Sequence, residues 1–82
     1  MTTTTKLSLE GLEVFTHIYQ TQSVSRAAAL LGMEQASASI LLGKLRTHFD
    51  DRLFVRTALG MTPTPRAQAI YPDVAEALAR IA

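Results

Sequence analysis

The chain has 82 residues, 48% of them hydrophobic, with 8 Lys and Arg against 7 Asp and Glu, a formal charge of +1 and no cysteine. That length holds one small domain burying about two thirds of its unfolded surface, so a second subunit would add stability. The lack of cysteine excludes a disulfide framework and thiolate metal sites. No apolar run reaches the roughly 18 residues of a membrane span, and the opening MTTTTK has no secretion-signal core, which implies a soluble, cytoplasmic protein without membrane contact.

Residues 1–7 read as a loose leader. Ser8 can cap a first helix running to about Gln20, with Glu10 in its first turn and a buried stripe of Leu12, Phe15, Ile18 and Tyr19. His17 falls off that stripe and is assigned no role. After a break at Thr21 to Ser23, either Ser23 or Ser25 can cap a second helix that ends before Gly32 and turns Ala27, Ala28 and Leu31 inward. Ser25 and Arg26 sit at its start, where N–H groups and a cation can hold a phosphate.

The turn Gly32-Met33-Glu34 leads into a third helix from Gln35 to about residue 48. On it, Ala38, Leu42, Leu45 and Phe49 share one apolar face, which belongs to the core. The opposite face carries Gln35, Ala36, Ser39, Ile40 and Gly43, small or polar groups that leave room for a duplex. Gln bonds an adenine edge bidentately, Ser serves most bases, and Ala or Ile touches a thymine methyl. Two helices joined by a short glycine turn form a helix-turn-helix, although the same corner also occurs in all-α proteins that bind no DNA. The net charge is modest for a nucleic-acid binder, but Lys44, Arg46, Arg52, Arg56 and Arg66 cluster in the middle of the chain, enough for a local basic stripe.

Asp50-Asp51 ends the third helix, and RLFVRT (52–57) predicts a strand, with a turn at Leu59-Gly60 and a return strand at Met61-Thr62. Leu53 with Phe54 or Val55 would pin this wing to the core. Arg56 is then either a DNA contact or a partner for Asp50 or Asp51. Thr64-Pro65 is a strong helix start, and the last helix repeats apolar residues at Ala67, Tyr71, Val74, Leu78 and Ile81, with Ile70 beside them. That alternation is a coiled-coil seam, and its width predicts a partner helix. Pro72 should interrupt the helix and kink it.

SVSRAAALLG, EQASAS, KLR, LFVRT and TPTPRA, in this order and at these distances, resemble the amino-terminal winged helix-turn-helix of LysR-type transcriptional regulators. The resemblance implies an all-α fold with a small β-hairpin wing, in which a three-helix core plus wing (8–63) is followed by a long linker and dimerisation helix (64–82). It further implies a homodimer on an inverted-repeat, double-stranded operator. Gln35, Ala36, Ser39 and Ile40 then discriminate bases; Ser25, Arg26, Lys44, Arg46 and Arg56 hold phosphates or the wing; Ala67, Ile70, Tyr71, Val74, Leu78 and Ile81 join the protomers. No cofactor or metal is implied. A small-molecule inducer belongs only to the effector domain that full-length relatives carry after the linker helix, and this chain resembles the DNA-binding part alone.

Four positions depart from the family pattern. Glu34 replaces the usual Ser or Thr, Ala36 a Pro, Ile40 a frequent base-contacting Arg, and Leu59 lies in a wing tip often basic in relatives. Each removes a polar or cationic contact, which predicts weaker, more dimer-dependent binding. A winged-helix module serving only protein interaction is the alternative reading. Catalysis finds no support in the sequence, which has no nucleophile–base pair, carboxylate pair or glycine-rich phosphate loop.

Overall fold

A computed structural model describes residues 7–81, and the expected leader therefore lies almost wholly outside the described residues. Its elements are α1 (Leu9–Thr21), α2 (Val24–Leu31), α3 (Gln35–Phe49), β1 (Phe54–Thr57), β2 (Gly60–Pro63) and α4 (Pro65–Ile81). This is the expected three-helix core with a β-hairpin wing and an additional C-terminal helix. None of the described helices is long and apolar enough to cross a membrane.

Helix starts follow from their caps. Ser8 Oγ accepts from Gly11 N at 2.9 Å, Ser23 Oγ from Arg26 N at 3.1 Å, and Thr64 Oγ1 from Ala67 N at 3.2 Å. Of the two serines that could start α2, Ser23 is therefore the cap, and Ser25 stands exposed in the first turn. Gly32 ends α2 at φ 69°, a left-handed conformation in which glycine carries no Cβ penalty, and its N–H bonds back to Ala28 and Ala29 carbonyls.

The core lies where α1, α2 and α3 cross. Val14, Phe15 and Ile18 of α1 meet Ala27 and Ala28 of α2 and Ala38, Leu42 and Leu45 of α3, all buried. The expected α1 stripe is shifted: Val14 is fully buried, while Leu12 and Tyr19 are only partly so. The alanines of α2 let its axis approach its neighbours closely, as their size predicts.

The wing departs from expectation at both ends. Its first strand begins at Phe54, not at residue 52, because Leu53 takes a left-handed φ of 64° that no strand continues. Asp51 holds that bend by accepting from Leu53 N at 2.8 Å, and the Leu53 side chain turns fully into the core. The tight turn is Ala58-Leu59, so Gly60 opens β2 and pairs with Thr57, while Phe54 pairs with Pro63.

Helix α4 runs unbroken through Pro72, which correctly lacks an N–H for the Gln68 carbonyl but does not end the helix. Part of its apolar seam packs within the protomer. Ala67 is fully buried and Val74 is 8% exposed against the protomer's own core. Tyr71 stacks on Tyr19 of α1, centroids 3.9 Å apart and planes 16° from parallel, and Gln20 Nε2 donates to its hydroxyl at 2.9 Å. Ile70 and Leu78 pack partly against the same core. Ala67, Tyr71 and Val74 are thus held from within by α1 and the wing root, Ile70 and Leu78 stay partly open, and Ile81 is left 64% exposed at the end of the seam.

Candidate nucleic-acid interface

Because Ala38, Leu42 and Leu45 anchor α3 through one face, Gln35, Ala36, Ser39 and Ile40 all emerge on its exposed side. Ile40 is 62% exposed although apolar. A Cβ added at Gly43, on the same side, would meet nothing within 4 Å. No packing inside the protomer therefore requires glycine there, and the smoothness it gives to α3 is available to whatever lies outside.

Three elements converge beside the start of α3. A surface hollow of about 370 Å³ is lined by Ser23 and Ser25 from α2, Gln35 from α3, Arg56 and Gly60 from the wing, and Gln22 from the α1–α2 corner. Ser25, Gln35 and Arg56, far apart in sequence, thus share one concavity that combines a helix N-terminus with a cation. Arg56 is exposed and makes no ion pair with Asp50 or Asp51, the other role open to it, among the described residues.

A glycine and a strained corner set this arrangement. Gln22 sits at φ 60°, which turns its carbonyl toward the wing to accept from Met61 N at 2.9 Å. Gly60, at φ 108°, comes so close that a Cβ there would lie 2.6 Å from that same oxygen. Only glycine fits. Nothing in the sequence around Gln22 signals this role, although Gly60 is the kind of residue that marks a close backbone approach.

The remaining basic residues separate. Arg26 and Lys44 are exposed, but Lys44 lies beside Leu7, Ser8 and Gly11 at the start of α1, away from the hollow. Arg46, expected to hold phosphate, is turned inward to the wing root: Nε donates to the Arg52 carbonyl at 2.7 Å and Nη2 to that of Phe54 at 3.0 Å. Its guanidinium braces the start of β1 against α3, joining the Phe54 N–H on the Arg52 carbonyl.

Asp51 is a further joint that sequence reasoning missed. Its carboxylate also accepts from Thr64 Oγ1 at 2.7 Å, so one side chain ties the wing root to the cap of α4, and Thr64 N closes the clasp on the Leu53 carbonyl at 2.9 Å. The Thr64 hydroxyl and the Leu53 N–H, with a lesser contribution from the Arg66 cation, hold the Asp51 carboxyl below its ordinary range against the opposing effect of burial.

Comparison with known proteins places this geometry. Residues 9–68 match the family described as bacterial regulatory helix-turn-helix protein, lysR family. The chain is 40% identical over 72 residues to the HTH-type transcriptional regulator LeuO of Escherichia coli (strain K12), covering 88% of this chain and 23% of that protein. It thus spans about a quarter of the length of such relatives. Among solved structures it superimposes on probable transcriptional regulator PA0477 from Pseudomonas aeruginosa with a TM-score of 0.86 at 39% identity, over 92% of this chain and 25% of that one. The BenM DNA-binding domain in complex with catB site 1 DNA gives a TM-score of 0.84 at 23% identity over 90% and 83% of the two chains, a likeness of fold. Members of the matched family are DNA-binding transcription regulators, not enzymes. This chain belongs to the LysR family of bacterial helix-turn-helix regulators, and its winged helix-turn-helix is the DNA-binding domain of that family.

Proposed function

We propose that this domain reads an inverted-repeat operator as a homodimer, each protomer laying α3 in the major groove while the wing and the start of α2 grip the flanking backbone. The observation that carries the proposal is the joining of Ser25, Gln35 and Arg56 around one hollow at the leading end of an exposed helix face. Gln35, Ala36, Ser39 and Ile40 face the bases in this reading. Arg56, Ser25 and Arg26 supply the sequence-independent grip.

The second protomer is proposed to dock along the outer side of α4. An open cleft between α1 and the end of α4 is lined by Leu9, Glu13, His17, Leu78, Ala79 and Ile81, and Leu9 and Ile81 leave apolar surface there. Of the residues first expected to join protomers, Ile81 and the outer edges of Ile70 and Leu78 remain for that task; Ala67 and Val74 are already used at home. Two α3 helices held this way would meet successive major grooves, about 34 Å apart.

Selection of bound duplexes from a random pool, at two salt concentrations, tests the reading. The expected result is an inverted repeat whose affinity falls steeply as salt rises, since neutralised phosphates release counterions. Recovery of no sequence above background from a chain that is dimeric in solution would favour the protein-interaction module instead.

A further inference from the structure

We propose that Glu34 selects cytosine, its carboxylate accepting the N4 amine in the major groove at the leading end of α3. The inference rests on the DNA-reading function above and assigns a residue outside the face already named.

Glu34 occupies the N-cap of α3 in extended backbone, φ −78° and ψ 152°, yet its side chain makes no capping hydrogen bond. The other three caps, Ser8, Ser23 and Thr64, each bond a first-turn N–H through a hydroxyl. Of the two helices that start beside the hollow, α2 is capped by Ser23 and α3 forgoes a side-chain cap. Glu34 is exposed, its carbonyl accepts from Ala38 N at 3.1 Å, and its side chain makes no hydrogen bond or ion pair among the described residues. The α3 macrodipole favours a negative charge here, but no capping hydrogen bond and no protein cation fixes the carboxylate in place.

The chemistry of the groove offers it a partner. A carboxylate only accepts hydrogen bonds, and the major groove offers two base-edge donors, adenine N6 and cytosine N4. Adenine sets its N7 acceptor beside N6, where it opposes a second carboxylate oxygen; cytosine sets no acceptor of its own there. Glu34 directly precedes Gln35, so the two side chains would address neighbouring base pairs. The apolar Ala36 and Ile40 offer the carboxylate no cation on the same face, and phosphates repel it. Off-target duplexes are thereby disfavoured as cytosine is favoured, which makes Glu34 a device for discrimination at the expense of affinity.

Selection from a random duplex pool with the intact chain and with Glu34→Gln and Glu34→Ser tests this. The unsubstituted chain should recover cytosine at one position of each half-site. Both variants should lose that preference by about tenfold while keeping the rest of the motif, and both should bind random DNA more tightly. Glu34→Ser restores a hydroxyl cap, so its melting temperature should equal or exceed that of the unsubstituted chain, and misfolding cannot produce the result. Identical preferences in all three proteins, or a motif without cytosine, would overturn the assignment of Glu34 and leave operator reading intact. Absence of any selected motif from the unsubstituted chain would overturn operator reading, and this assignment with it.

Discussion

The wing and the recognition face of α3 are adjacent and are built in opposite ways. The wing is fastened at every end: Arg46 grips its root, Asp51 and Thr64 close its base, and the Gln22 carbonyl catches Met61 near its tip. The exposed face of α3 carries no comparable fastening, because its position is settled on the far side by Ala38, Leu42 and Leu45. The difference follows from what each element can do alone. A two-stranded hairpin is marginal in water and needs external anchors; a fifteen-residue helix with a buried stripe leaves its other face unencumbered. Polar contacts are concentrated where position must be imposed, and side chains are left unpaired where they can meet a ligand.

The largest perturbation of this contrast is at the wing root. Phe54 is fully buried against Phe15, ring centroids 5.5 Å apart, and Phe54→Ala should destabilise the domain by about 3–5 kcal/mol in denaturant melts. A loss below about 1 kcal/mol would show that the wing is not part of the core. Gly60→Ala acts more selectively. The clash with the Gln22 carbonyl and the unfavourable φ should cost about 1–3 kcal/mol and unseat the wing. Operator affinity should fall further than stability does, with helix content retained by circular dichroism; unchanged affinity would sever wing seating from binding.

On the unfastened side, Gln35→Ala should relax discrimination at one base pair by about 1–3 kcal/mol without moving the melting temperature. Retained preference at every position would remove Gln35 from base reading. Gly43→Ala should stabilise α3 by about 1 kcal/mol, since its Cβ enters open space. If DNA approaches α3 closely at this point, the same variant will bind more weakly despite its greater stability.

The smallest expected effect is visible mainly as a pH dependence. The carboxyl of Asp51 titrates below its unfolded value of about 3.9. Its contribution to stability is therefore complete above that pH and is lost as pH falls through the lower folded-state value. Asp51→Asn should be less stable at neutral pH and should flatten the acid limb of the stability curve. An acid limb identical to that of the unsubstituted chain would place the titration elsewhere.

Much of this architecture was legible in local residue chemistry. The caps at Ser8 and Thr64, the glycine stop at Gly32 and the inward face of α3 all depend on residues within a turn or two of one another, and they stand where the pattern put them. Contacts between distant segments were not legible. The four-three spacing of α4 announces an apolar seam but does not say that the protomer's own α1 packs against part of it. Leu53 reads as a strand residue because its propensity is local, whereas the bend that excludes it comes from Asp51 and Thr64. Arg46 looks like any exposed cation until two carbonyls of the wing root come within its reach.

The Tyr19–Tyr71 stack has one more consequence. The chain contains two tyrosines and no tryptophan, and those two rings are the stacked pair. Its longest-wavelength ultraviolet absorption and its intrinsic emission therefore arise at the junction of α1 and α4. The domain carries a built-in optical gauge there: any event that tilts the C-terminal helix away from the reading head will register as a change in tyrosine signal, with no label attached.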